Sequence, residues 1–188
     1  MQTYLIFDTE TTGKWNFKAP ANSPEQPDPV QIAFKLVSDT GLVISQFSTL
    51  IKDHKSIDSE AAQIHGITPE LTAKFGMSAL DAGLIFANAI EYADYLVAHN
   101  YAFDSAVLSK LAKGSWSMTK KPSICTMVST VEFCALPSSN KFSKYKWPKL
   151  QELHHKLFDR GFRGAHDAMV DVDATTRCFL ELKRRGVL

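Results

Sequence analysis

The order of patterns along the chain predicts an α/β domain with a mixed sheet of about five strands covered by helices, and three observations carry this. Residues 3–8 form a continuous apolar run ending at Asp8, the pattern of a strand buried on both faces. Residues 30–37 and 42–51 are β-rich on either side of Ser38-Asp39-Thr40-Gly41, the turn of a hairpin. Beyond the hairpin, short strand patterns at 95–98 and 123–125 alternate with helical ones.

The remaining elements follow from local chemistry. Gly13 to Pro29 holds Pro20, Pro24, Pro27 and Pro29, so it is a surface loop; from 14 to 29 it either covers the rim of a site or is inert. A short helix is expected near 58–65 with Asp58 or Ser59 as its cap. A longer one spans 78–92, with Ser78 as cap and Leu80, Leu84, Ile85 and Ile90 among its apolar positions. Further helices are expected over 101–112, 126–134, from Pro148 as first residue through Leu157, and from about 168 to 185. Neither a repeat nor a low-complexity tail breaks the pattern, and 1–188 is read as one domain.

Composition is that of an ordinary globular protein: 188 residues, 45% hydrophobic and 22% charged, with net charge +1. The distribution of charge is more informative than its sum. Lys141 to Arg163 carries seven basic residues against Glu152 and Asp159, whereas residues 1–60 carry five lysines against eight acids. That asymmetry suits a metal in one place and phosphate in another. Three cysteines without CxxC spacing read as reduced thiols of a cytoplasmic protein. No stretch approaches the roughly 20 apolar residues that span a bilayer, which excludes a membrane role of that kind.

Three clusters carry candidate chemistry. Asp8 and Glu10 stand two apart on a strand, so they share a face at its carboxyl end. Adjacent desolvated carboxylates repel, and a hard divalent cation offsets that repulsion; a solvated strand end is the plain alternative. Asp104 opens the helix after the strand at 95–98 and borders its buried side, either as a ligand or as a first-turn acid favoured by the helix dipole. His166 and Asp171 are separated by five positions, a rotation of about 140° on a helix. His166 is therefore placed in the loop before the helix, with Asp167 as N-cap. Asp171, Thr175, Cys178 and Leu182 then turn toward the core, while Asp173 faces away and can pair with Arg177. Gathered at one sheet edge, four acids and a histidine suit phosphodiester hydrolysis.

Asp-Thr-Glu-Thr-Thr-Gly at 8–13, His-Asn-Tyr-Ala-Phe-Asp at 99–104 and His-Asp-Ala-Met-Val-Asp at 166–171 together resemble the three motifs of the DEDDh family of 3′–5′ exonucleases. The resemblance covers about residues 3–183. It implies an RNase H-like fold and two Mg²⁺ or Mn²⁺ ions, with Asp8 bridging them. Glu10 and Asp171 would help hold the ion that activates water, and Asp104 the second. His166 would take the proton from the attacking water, as an imidazole titrating near neutrality can; Asp167 stands where a tyrosine would mark the other subclass.

Ile64-His65-Gly66-Ile67-Thr68 resembles the family segment that packs on the terminal nucleotide. There His65 stacks or bonds substrate, or simply ends a helix before a C-cap glycine. Thr11 and Thr12 contact the 3′-terminal nucleotide or simply shape a turn, and Asn100 contacts substrate or braces Asp104. The family includes the proofreading subunit of bacterial replicative polymerase, but no tail for polymerase binding follows the last helix, which favours stand-alone trimming. The expected substrate is single-stranded or frayed DNA with a free 3′ end. RNA is the alternative, and a silent nucleic-acid-binding domain the third reading.

Lys141-Phe142-Ser143-Lys144-Tyr145-Lys146-Trp147 interleaves basic and aromatic residues. It suits phosphate contacts with base stacking, or else a solvated lysine loop whose aromatics tuck into the core. His154 and His155 have no pattern partner and read as surface residues.

Overall fold

β1 (Thr3–Thr11) lies at the centre of a five-stranded sheet of order β3-β2-β1-β4-β5. The computed structural model describes residues 1–16, 18–20, 23–111 and 120–188. β1 pairs antiparallel with β2 (Pro29–Ser38), which pairs antiparallel with β3 (Val43–Leu50). On its other edge β1 runs parallel to β4 (Tyr95–Ala98), and β4 runs parallel to β5 (Ser123–Cys125). The mixed sheet follows from connection length: the four-residue turn with Gly41 at φ 86° makes a hairpin, whereas the parallel strands are joined through helices.

The helices are α1 (Ser59–His65), α2 (Pro69–Phe75), α3 (Ala79–Glu91), α4 (Tyr101–Leu108), α5 (Thr126–Ser129), α6 (Val131–Cys134), α7 (Leu150–Phe158) and α8 (Ala168–Arg184). They cover both faces of the sheet, and the alternation of β1 divides the core in two. Leu5 and Phe7 pack with Ile32, Phe34, Leu96 and the α3 residues Ala82, Phe86 and Ile90. Tyr4 and Ile6 face the other way, against Ala168, Val172 and Phe179 of α8. Phe86 touches both Phe7 and Phe34, with ring centroids at 5.3 and 5.7 Å. Burying one such ring contributes about 1.5–3 kcal/mol.

The structure sharpens some expectations and corrects others. Of the apolar positions named in α3, Ile90 is buried together with Ala82 and Phe86, while Leu80, Leu84 and Ile85 are exposed. α2 was not expected, although Thr68 caps it by accepting from Leu71 N and Pro69 opens it. The helix expected over 101–112 ends at Leu108, and residue 112 lies outside the described residues. The segment 126–134 is two short helices that share Thr130 as their junction. α7 takes Lys149 as its N-cap, with Glu152 Oε2 accepting from Lys149 N at 2.8 Å, so Pro148 precedes the helix instead of opening it. Asp173 faces Lys35 on β2, not Arg177, as a charge contact without directed hydrogen-bond geometry. His154 is buried: Arg160 O lies 2.8 Å from its Nδ1, and Phe158 and Phe162 pack on its ring. His155 is exposed.

No helix among the described residues is long and apolar enough to cross a membrane. Cys125, Cys134 and Cys178 are free thiols.

Candidate active site

Asp8 and Glu10 continue the face of β1 that carries Tyr4 and Ile6, which is the face covered by α8. This brings them under the first turn of α8. Asp167 caps that helix, its Oδ1 accepting from Met169 N and Val170 N. Gln31, opposite Glu10 in the β1–β2 ladder, accepts from Ala168 N at 3.1 Å and so ties the helix start to the sheet. Asp171 then lies one turn into α8 and is 9% exposed.

His166 stands outside the helix, in the left-handed region at φ 70°. Only a surrounding structure that over-determines it keeps a non-glycine residue there. Here His166 N donates to Asp171 Oδ2 at 2.9 Å, which couples the loop to the carboxylate. The imidazole is left exposed toward the cleft. Glu10, His166 and Asp171 each present a ligand atom within 4.8 Å of the others.

Asp104 arrives from the opposite side, on the first turn of α4. Asn100 precedes that turn at φ 85°, a conformation asparagine tolerates better than most residues. Thr9 is the alternate residue between Asp8 and Glu10, and it reaches Asp104 from its own side of the strand. Its N and Oγ1 donate to Asp104 Oδ1 at 3.1 and 2.8 Å. Asp8, Glu10, Asp104, Asp171, His166 and Asn100 all line one cavity of about 410 Å³.

The electrostatics of that cavity are unfavourable without a cation. Burial, then repulsion from Asp104, Asp171 and Glu10, holds Asp8 well above the carboxylate range. Burial, then Asp171 and Asp104, pushes Glu10 up to about 8. Burial pushes Asp104 to about 7 despite the opposing Thr9 hydrogen bonds. Burial also raises Asp171, against the donation from His166 N. An all-oxygen set of this kind, disfavoured as free anions, fits a hard divalent cation.

Thr9→Val keeps the side-chain shape and deletes the hydroxyl donor. Asp104 then loses a bond that favours its ionised form, so protons compete better for it. Manganese affinity at pH 7 is expected to fall about tenfold and to recover toward wild type at pH 9. Titration calorimetry at both pH values checks this; an equal loss at both contradicts it.

A second cavity of about 670 Å³ adjoins the first, sharing Thr9, Glu10, Phe103 and His166. It is lined by Thr11, Ile64 and His65 on one side and Lys14 and Trp15 on another. His65 accepts from Ile67 N at 3.0 Å on Nδ1, which leaves its Nε2–H to donate to Thr11 O at 3.2 Å. The ring therefore fastens the end of α1 to the end of β1 while lining this cavity. Thr12, 2% exposed, is taken up by the backbone: its N donates to Asp28 O, and its Oγ1 accepts from Asp28 N.

Three residues that support the site, Gln26, His99 and Gln31, have no role assigned from the sequence, where the Pro-rich loop reads as either a rim or inert. The Pro-rich loop is organised around Gln26, which is fully buried and donates to the carbonyls of Asn16 and Ala19. Lys55 and Lys110 hold the Gln26 carbonyl from outside. Through Trp15, set edge-on to Phe103 at 6.2 Å, the loop forms part of the rim. His99 braces the floor: its two ring nitrogens bond Thr126 Oγ1 and Pro148 O, each at 3.0 Å, and burial pushes its pKa down to about 4. Gln31 is the third. No local pattern marks these residues, because each acts on a partner distant in the chain.

The family model described as Exonuclease matches residues 5–179. The chain belongs to the exonuclease family. Its three motifs make it a DEDDh-type 3′–5′ exonuclease, and that family is divalent-metal dependent. An uncharacterized exonuclease of Escherichia phage 186 is 27% identical over 191 residues, which span 97% of this chain and 89% of the phage protein. A DNA polymerase III subunit epsilon-like protein of Rhodobacter capsulatus is 30% identical over 191 residues, spanning 98% of this chain but 25% of that protein. Among solved structures, E. coli exonuclease I in complex with a dT13 oligonucleotide aligns at TM-score 0.76 and 20% identity. That alignment covers 98% of this chain and 42% of the exonuclease I chain, a likeness of the RNase H-like fold.

Proposed function

We propose that this exonuclease removes nucleoside 5′-monophosphates one at a time from the 3′ end of single-stranded or frayed DNA, with His166 as general base. The convergence of Asp8, Glu10, Asp104, Asp171 and His166 on one cavity carries the reading. DNA is favoured over RNA because the exonuclease I neighbour was solved with a DNA strand.

Asp8, Glu10, Asp104 and Asp171 would hold two Mg²⁺ or Mn²⁺ ions, which would supply charge stabilisation at phosphorus and at the leaving oxygen. The rest falls to the chain's own residues. His166 takes a proton from water at the mouth of the cavity, and the water oxygen attacks the terminal phosphorus. The P–O3′ bond breaks, the 3′ oxygen is protonated from solvent, and the strand is one nucleotide shorter. The His166 N to Asp171 hydrogen bond holds the base beside the carboxylates throughout. Thr11, His65 and Asn100 line the space for the terminal nucleotide.

Oligonucleotides labelled at the 5′ end test the direction. Wild type should produce a ladder shortening from the 3′ end that EDTA stops, and His166→Ala should slow it by about 10²–10⁴-fold. Matched RNA should be cut more slowly. An undiminished ladder in EDTA, or one shortening from the 5′ end, would overturn the proposal.

A further inference from the structure

We infer that the hairpin from Leu136 to Trp147 is a docking arm for the single-stranded nucleic acid upstream of the terminal nucleotide. This rests on the exonuclease reading for the position of the 3′ end, and on its own observations for the rest.

The arm is ordered although it is exposed. Pro137 and Tyr145 form an antiparallel bridge, flanked by Lys146 N donating to Leu136 O at 3.0 Å and Ser138 N to Lys144 O at 3.3 Å. At the tip, Asn140 Oδ1 accepts from Phe142 N and Asn140 O from Ser143 N. These bonds fix a turn that projects the Phe142 ring into solvent at 98% exposure. Holding a phenyl group there instead of folding it into the core forgoes about 1.5–3 kcal/mol of burial. A ring so presented has both faces free to stack against a planar partner.

Charge and continuity select the partner. Lys141, Lys144 and Lys149 enter no ion pair among the described residues. Trp147, at the base of the arm, is 64% exposed and lines the same cavity as the carboxylates, as does Lys149. A strand leaving the cavity thus meets an aromatic face, then lysines, then a second aromatic face at the tip. Alternating cations and flat rings match the phosphates and bases of an unpaired strand. An acidic protein surface would use the lysines but leave the rings without stacking partners.

Equilibrium binding of fluorescent oligodeoxythymidylates in Mn²⁺, in a His166→Ala background that slows cleavage, tests this, with a dinucleotide compared against a twelve-residue strand. Phe142→Ala should weaken binding of the long strand about tenfold and leave the dinucleotide unchanged, since one base stack is worth about 5- to 150-fold. Lys141→Gln with Lys144→Gln should reduce the slope of log K against log salt by about 1.4. All three positions lie on the exposed turn, and melting temperatures equal to wild type verify folding. Equal affinities for the long strand together with an unchanged salt slope would overturn the arm. Failure of wild type to shorten any oligonucleotide with Mn²⁺ would sink the exonuclease reading instead, while the binding comparison still judges the arm.

Discussion

Replacing Asp8 with Asn will abolish hydrolysis and at the same time raise the melting temperature of the metal-free protein. Both effects come from one fact: Asp8 is buried in a cavity with Asp104, Asp171 and Glu10, and burial followed by their repulsion holds it above its ordinary range. Asn has nearly the same volume and carries no charge, so it relieves repulsion without opening a void. A gain of about 1–2 kcal/mol is expected, or about 2–8 °C for a chain of this size. Activity should fall by about 10³-fold or more, because a preorganised charge at the reacting phosphate is lost. Thermal melts in EDTA with single-turnover assays in Mn²⁺ check the pair. A residue that merely braces the fold gives the opposite sign in the melt, so a lower melting temperature would contradict the shared cavity.

The first and third motifs were readable because each obeys a local rule. The period of a strand puts Asp8 and Glu10 on one face, and five-residue spacing puts His166 outside the helix that Asp171 joins. The structure has both arrangements, with Asp167 as the cap between them. What escaped was set by tertiary partners. Taken alone, Asp104 reads better as a dipole-favoured acid until Thr9, 95 positions away, is seen to bind it. The buried face of α3 could not be assigned from its sequence because apolar residues occur around the whole helix, and only docking against Phe7 and Phe34 selects Phe86 over Leu84. His154 gives no signal of burial, since the carbonyl that satisfies it belongs to a loop and not to a periodic element. Trp15 looks like a loose loop residue because the buried anchor that orders its loop, Gln26, is an exposed type in most proteins.

The same cavity makes stability depend on pH in a direction opposite to that of most paired acids. Glu10 rises from 4.5 to about 8 and Asp104 from 3.8 to about 7 on folding, both chiefly by burial. Between these limits the native protein binds more protons than the unfolded chain, so the free energy of unfolding falls as pH rises. The metal-free protein should therefore be more stable at pH 5 than at pH 8. Divalent cations reverse the trend, since they bind the ionised form and compete with protons. At about a hundred times the dissociation constant, bound metal contributes about 2.7 kcal/mol. For this chain length that is about 5–11 °C, and the gain should be much smaller at pH 5. Urea titrations from pH 5 to 8, with EDTA and with Mn²⁺, measure both slopes. If metal-free stability rose with pH across this range, or metal stabilised equally at pH 5 and pH 8, the carboxylates would be solvated separately, and no common cation site would join β1, α4 and α8.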